Sequence, residues 1–266
     1  MDVLVTGGCG YIGIALVPQL ADQPDIDTVR VVDDLSASSP RNLLGSGLDD
    51  DSIEFRRGDV TEYGDVESAT RGCDTVIHLA AITGADSTHD RAAETRRVNY
   101  DGTENVLRAA GKLGVETVVF ASSCNIYGRA ATTDIDEETQ PEPLNPYAET
   151  KHEAESLLRE AADRYGFDAT ALRMSTNYGY SPGMRFNLVV NHFVFRALTD
   201  RPLTVYGDGP NWRPFVHVAD AARAYAHAAR HPDQWTRDVY NVGSDDGNYR
   251  ISEIAELVRE TLDADL

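Results

Sequence analysis

Three residues in this sequence have the types and spacing to do chemistry: Ser123, Tyr147 and Lys151. Asn145-Pro146 announces a helix, with Asn as N-cap and Pro at the first helical position. Tyr147 then falls in the first turn and Lys151 one turn later, and positions i and i+4 share a helix face, so phenol and ammonium point into one cleft. A free tyrosine, with a pKa of about 10, is a poor base at neutral pH. An ammonium on the same face, with a positively charged nicotinamide nearby, would stabilise the phenolate and bring it towards working pH. Ser123 would hold the reacting hydroxyl; its proton goes to Tyr147 while a hydride leaves the carbon, and an alcohol becomes a ketone. Each residue also has an ordinary reading, as a half-buried aromatic, a solvated charge and a strand-end hydroxyl. Their coincidence favours chemistry, because the chain has only two lysines, Lys112 and Lys151.

A hydride needs an acceptor, and the N-terminus offers a place for one. Val3-Leu4-Val5 is a short apolar run, Thr6-Gly7-Gly8-Cys9-Gly10 is a turn nearly free of side chains, and Tyr11-Ile12-Gly13-Ile14-Ala15-Leu16 begins a helical pattern. Strand, tight turn and helix in that order let backbone approach a pyrophosphate, with the helix N-terminus and its unpaired N–H groups aimed at the phosphates. Gly7, Gly10 and Gly13 are the glycines this geometry needs. The next apolar run ends at Asp33, twenty residues beyond Gly13, where a carboxylate meets the adenosine ribose hydroxyls and repels the extra phosphate of NADP. The expected cofactor is NAD.

The elements that would position these residues alternate. Strands are expected at 28–33, 52–57, 74–79, 116–121 and 168–174, separated by helical stretches at 91–113 and 147–165, the last stopping at Gly166. This alternation predicts a parallel sheet covered on both faces. Asp59-Val60 falls at the end of the third strand, where an adenine could sit, and Leu79-Ala80-Ala81 follows the fourth, small enough for a cofactor to lie against the backbone. From Tyr178 the pattern changes: helix at 187–198, a short strand at 203–206, a glycine-rich turn at 207–210, and an amphipathic helix at 251–262. These predict a main domain over 1–177, to which 213–243 returns, and a smaller lobe over 178–266.

With Asp+Glu 44 against Lys+Arg 24, the chain carries a formal net charge of −20. Nucleic acid and anionic membrane are excluded as general partners, because both would be repelled. Such an acidic, lysine-poor surface suits a salt-loving organism, since in concentrated salt the Debye length falls to about 3 Å and self-repulsion is screened. Cys9, Cys73 and Cys124 lack the spacing of a disulfide framework or a metal site, so no metal is expected. With no signal-like or membrane-spanning run, the protein is expected to be cytoplasmic.

Taken as an ordered set, these motifs resemble the extended short-chain dehydrogenases/reductases, and within them the NAD-dependent nucleotide-sugar epimerases and dehydratases. The resemblance rests on Thr6 to Gly13, Asp33, Gly58-Asp59-Val60, His78 to Ala81, Val98-Asn99 with Gly102-Thr103, Ser122-Ser123 with Tyr127-Gly128, Tyr147 to Lys151, and Gly207-Asp208-Gly209 leading to Arg213. It implies a doubly wound, Rossmann-type α/β fold with a small C-terminal substrate lobe, and a homodimer packed through the helices at 91–113 and 147–165. It implies Ser123, Tyr147 and Lys151 as catalytic residues and a cofactor site of Gly7, Gly10, Tyr11, Ile12, Gly13, Asp33, Asp34, Asp59, Val60, Leu79, Ala80, Ala81 and Asn99, with Tyr147 and Lys151. It places Asn187-Leu188 beside the nucleotide base and Arg213 on the substrate diphosphate, whose oxygens suit a guanidinium fork.

The sequence departs from that family in four places. Dehydratases of the group carry an Asp-Glu pair just after the catalytic hydroxyl, where this chain has Cys124-Asn125, which disfavours removal of water. Thr176 stands where many epimerases have asparagine, and Pro214 where an aspartate is common. The chain ends at Leu266, before most members do, which would leave an open pocket or a smaller substrate. The leading expectation is epimerisation of a nucleotide sugar, most readily a UDP-sugar, at C4. The alternatives are an NAD-dependent dehydrogenase or reductase of a sugar or uronate and, last, a non-catalytic NAD sensor.

Overall fold

The computed structural model describes residues 1–43, 52–84, 86–128, 134–205 and 212–262. Its centre is a seven-stranded parallel sheet of order β3-β2-β1-β4-β5-β6-β9, formed by β1 (Asp2–Thr6), β2 (Thr28–Asp33), β3 (Ile53–Arg57), β4 (Thr75–His78), β5 (Thr117–Ser123), β6 (Asp168–Met174) and β9 (Val239–Val242). Alternation along β1 sorts its side chains to two faces. Val3 and Val5 join the core with α1 (Gly13–Ala21) and α7 (Val218–Arg230), while Leu4 joins the core with α2 (Tyr63–Thr70), α4 (Gly102–Leu113) and α5 (Pro146–Tyr165). The fold is thus a doubly wound α/β sheet. Strand order reverses beside β1, between it and β4, and such a switch point opens a crevice at the carboxyl ends of the strands.

Local signals read correctly where caps were present. Helix α5 starts with the Asn145 side chain accepting from Ala148 N–H at 2.9 Å and ends with Gly166 in the left-handed region at φ 82°.

A second sheet, order β10-β8-β7, joins β7 (Thr176–Tyr178), β8 (Trp212–His217) and β10 (Asn248–Arg250). With α6 (Val189–Leu198) and α8 (Ile251–Leu262) it encloses a separate small core of Phe193, Leu203, Phe215, Ile254, Ala255 and Val258. Three expectations are corrected here. The chain returns to the main sheet at Val218 rather than at 213, because Trp212–His217 pairs with β7 and β10. Leu203 to Val205 is no strand, although Leu203 is buried in the small core; Tyr206 and the turn at 207–210 lie outside the described residues. Helix α6 begins at Val189 rather than at 187, since Leu188 is extended (φ −76°, ψ 132°) and the Asn187 side chain is engaged by Arg185 instead of capping. Among the described residues no helix is long and apolar enough to cross a membrane.

Candidate active site

The glycine turn is built by exclusion. A Cβ on Gly7 would lie 2.7 Å from the Ala80 backbone, and one on Gly13 would lie 2.5 Å from the Gly8 backbone. Gly7 also has φ +69°, a conformation that favours glycine. At Gly10 the nearest obstacle is a single oxygen, that of Gly7 at 3.1 Å. Two of the three glycines therefore fasten the turn to helix and strand, and the third leaves backbone open to a ligand.

Asp33 stands at the carboxyl end of β2, and its carboxylate binds the turn itself. One oxygen accepts from Cys9 N–H at 3.0 Å, and the other from Leu35 N–H at 2.9 Å and the Ser38 hydroxyl at 2.8 Å. A carboxylate has about four acceptor positions, so capacity for a ribose hydroxyl remains. Asp34 is exposed and closes a local turn on Ser36. Asp59 accepts from Thr61 N–H at 2.8 Å at the end of β3, while Val60 is buried in the core. The residues Leu79-Ala80-Ala81 lie against the glycine turn, with Ala80 N–H reaching the Thr6 hydroxyl at 3.4 Å.

Two buried networks hold this segment. Thr103 donates to the Asn99 carbonyl, so its oxygen accepts from His78 Nε2 at 2.9 Å, and His78 Nδ1 must then accept from Thr6 at 2.6 Å. Burial pushes the His78 pKa down to about 3, so the ring is neutral. Asn99, wholly buried on a π-helical turn, clamps Ile82 through both backbone groups at 2.8 and 2.9 Å. Tyr11 reaches the other way: its phenol donates to the Gly179 carbonyl at 2.7 Å, and its own carbonyl accepts from Ser181. Ile12 is the N-cap residue of α1.

Ser123, at the end of β5, and Tyr147, in the first turn of α5, come together. Asn125 donates to Ser123 Oγ twice, from its backbone at 3.2 Å and its side chain at 3.1 Å. That leaves the Ser123 proton for the Tyr147 oxygen, and this hydrogen bond pulls the phenol pKa down. Burial is the larger effect and raises it; the charge that opposes burial is the Arg185 guanidinium. The sequence assigned that pull to Lys151. Lys151 is 2% exposed, and burial lowers its pKa to about 7, so near neutrality it is only partly charged. Its ammonium lies 4.6 Å from the Phe120 ring centroid and has no hydrogen bond among the described residues. A buried ammonium with no hydrogen bond among the described residues, one turn from Tyr147, fits a dinucleotide whose ribose hydroxyls would accept from it.

Below Lys151, Glu155 accepts a two-pronged contact from Arg173 at 2.8 and 3.0 Å and the Ser122 hydroxyl at 2.5 Å. This tether ties α5 to the ends of β5 and β6. Cys124 donates to the Arg173 carbonyl at 3.1 Å, and burial raises its thiol to about 11, so it stays protonated. Arg213 is exposed on β8 opposite Tyr249 and makes no ion pair among the described residues. Asn187 is exposed, and Leu188 is the N-cap residue of α6. Sequence reasoning missed the orienting role of Asn125, and it missed Arg185 and Asn191, whose side chain binds Gly179 N–H at 3.0 Å and the Arg185 carbonyl at 3.2 Å.

Residues 3–243 match the family described as NAD dependent epimerase/dehydratase. The low-salt glycan biosynthesis protein Agl12 of Haloferax volcanii is 31% identical over 244 residues, 92% of this chain and 77% of that protein. A Thermus thermophilus UDP-glucose 4-epimerase, solved with NAD, superposes with TM-score 0.86 at 30% identity, covering 99% of this chain and 84% of that one. The dTDP-glucose 4,6-dehydratase DesIV of Streptomyces venezuelae, solved as a double mutant with NAD, gives TM-score 0.88 at 30% identity, covering 100% and 82%.

Proposed function

Because the chain belongs to the NAD-dependent epimerase/dehydratase family, we propose that it binds NAD and inverts a nucleotide sugar, a UDP-sugar first, at C4 of the hexose. NAD, when bound, would supply the acceptor for a hydride from the sugar carbon and the donor that gives it back. Ser123 fixes the reacting hydroxyl through the orientation that Asn125 imposes, and Tyr147 accepts its proton and later gives it back. Gly10 leaves room for the pyrophosphate, Asp33 meets the adenosine ribose, and Lys151 donates to the other ribose.

The observation that carries epimerisation over dehydration is the pair beside Ser123. Elimination of water needs an acid and a base next to the oxidised carbon. Cys124 is a protonated thiol bonded to a backbone carbonyl, and Asn125 spends its side chain on Ser123. Neither can move that proton.

We further assign the small core around Phe193 and Phe215 to a substrate lobe, with Arg213 on the diphosphate and Asn187-Leu188 by the base. The outer faces of α4 and α5 would join two copies in an isologous dimer.

Denaturing the purified protein and assaying the supernatant tests the reading. Retained NAD, together with conversion of UDP-glucose to UDP-galactose, is expected. An empty site with net NADH formation from a free sugar or uronate would replace it with the dehydrogenase.

A further inference from the structure

Glu155 is a buried carboxylate placed between two buried cations. It follows Lys151 by four positions on α5, so the two share a face of that helix, with Cβ atoms about 5–6 Å apart. Both are buried, at 2% exposure for Lys151 and 8% for Glu155. They settle on one face of β5, where Phe120 and Ser122 stand two positions apart: the ammonium lies over the Phe120 ring, and the carboxylate accepts from the Ser122 hydroxyl. Arg173, the register partner of Ser122 on β6, closes its fork on the same carboxylate and spends Nη1 on the Tyr127 phenol at 2.7 Å and the Glu137 carbonyl at 3.3 Å. The other titratable groups packed here are His78 on β4, neutral and in ring contact with Phe120 at 5.8 Å, the Cys124 thiol, which is protonated, and His152, 3.9 Å from the carboxylate on α5 itself. A buried ion pair is weak evidence for stability, since desolvation offsets its attraction. This one stands a single helical turn from the lysine of the site.

We propose that Glu155 is a positioning residue whose negative charge keeps the Lys151 ammonium charged beside Tyr147, and that Arg173 sets how much of that charge Lys151 receives. The inference rests on the reading of Tyr147 and Lys151 as working together in the site. One anion is divided between two cations. Arg173 takes both carboxylate oxygens, so Lys151 meets a carboxylate already neutralised at close range. Burial lowers the Lys151 pKa to about 7, and the Glu155 charge opposes this. Without Arg173 the full anion would hold Lys151 protonated to higher pH. Without Glu155 two cations would share one desolvated pocket, and Lys151 would give up its proton sooner. The arrangement present lies between these limits, near neutral pH, where a group that assists proton transfer is most useful.

The chain has only two lysines, so isotope-labelled lysine gives one NMR signal for Lys151 and one for Lys112, which is exposed on α4 and serves as the reference. The test titrates Lys151 by that signal in the full-length chain, for the parent, Glu155→Gln, Arg173→Met and the double variant, and assays each for inversion of UDP-glucose. Glu155→Gln should lower the Lys151 midpoint by about one pH unit and Arg173→Met should raise it by about as much, the scale of one neighbouring charge. A tether without electrostatic effect would loosen α5 and admit water to Lys151 in both variants. Both midpoints would then rise together, and the inference would be overturned. The double variant leaves no buried ion unpaired, so it answers the question even where a single variant fails to fold. Its midpoint should lie at or below the parent's, because the nearer charge removed is the anion; a rise above the parent would overturn the inference equally. If the single variants move in opposite directions while no UDP-sugar is inverted, the charge assignment stands and the epimerase falls. If UDP-glucose is inverted and the midpoints do not separate, the epimerase stands and Glu155 is structural alone.

Discussion

The crevice has two walls, and they are built differently. One is the carboxyl edge of the main sheet with the start of α5, where side chains are buried and locked: Thr6, His78, Asn99 and Lys151 are each no more than 2% exposed. The other is the small sheet with the segment leading into α6. There Tyr180 is 78% exposed, Phe186 49% and Trp212 42%, and Arg213 is free of ion pairs among the described residues. A wall whose polar groups satisfy one another needs no ligand to take its shape. The rings of the other wall pack on near neighbours, Phe186 on Phe195 and Trp212 under Arg250, and leave surface for a ligand to cover. The first suits a cofactor that stays, and the second a substrate that comes and goes.

The largest effect should come from the locked wall. Tyr147→Phe removes the phenol oxygen, which is both the proton acceptor and the partner of Ser123, so kcat should fall by about 10³-fold while NAD affinity stays within a few-fold. Stopped-flow absorbance at the reduced nicotinamide band, with a cofactor titration, checks both. Near-parental turnover would mean the wall is rigid but not catalytic.

The same wall should discriminate cofactors. Asp33 is fixed by three donors and cannot swing away from a 2′-phosphate, so NAD should bind at least about 100-fold more tightly than NADP, consistent with placing a like charge against a held carboxylate. Equal affinities by calorimetry would show that Asp33 serves only the turn.

The open wall should respond through binding alone. Arg213→Ala should weaken UDP by about 1.5–3 kcal/mol, the scale of a charge-assisted hydrogen bond, with the melting temperature unchanged because the side chain is exposed. A loss of stability without a loss of UDP affinity would make Arg213 structural.

The cost of rigidity should also be visible in pH. Lys151 has a folded pKa of about 7 against 10.5 when exposed. Between these values the unfolded chain binds the extra proton, so stability of the cofactor-free protein gains as pH rises from about 7 to 10.5, and that gain is lost as pH falls back from 10.5 to about 7, with no further loss below. Lys151→Met should remove that contribution, leaving the variant relatively more stable at pH 6 than at pH 10. Parallel denaturation curves for parent and variant at both pH values would refute the buried cation. The smallest and most diffuse effect is screening: the melting temperature should climb from dilute buffer to molar KCl, given a net charge of −20. A flat profile would remove the case for salt adaptation.

The locked wall was legible in the sequence because its signals are local. The glycine spacing, Asp33 twenty residues on, and the Asn145 to Gly166 helix with its two caps are each readable within a short window, and β6 and α8 match their expected limits. The open wall was not, because its contacts join distant residues. Arg185 finds Thr83 across 102 positions and Tyr11 finds Asn191 across 180, with no periodicity to announce either. The strand at 212–217 was assigned to the main domain for the same reason: its partners, Thr176 to Tyr178 and Asn248 to Arg250, are too short to be seen alone. Asn125 was read for what it replaces, an acid or base, and not for what it does, which is to orient Ser123.

One measurement bears most directly on the central claim. UDP-glucose deuterated at C4 should be turned over by the parent protein and its product read by NMR and mass spectrometry. Epimerisation through a retained cofactor predicts UDP-galactose that keeps the deuterium at C4, with none in solvent and none in released NADH. A 4-keto-6-deoxy product, or deuterium leaving in free NADH, would contradict it.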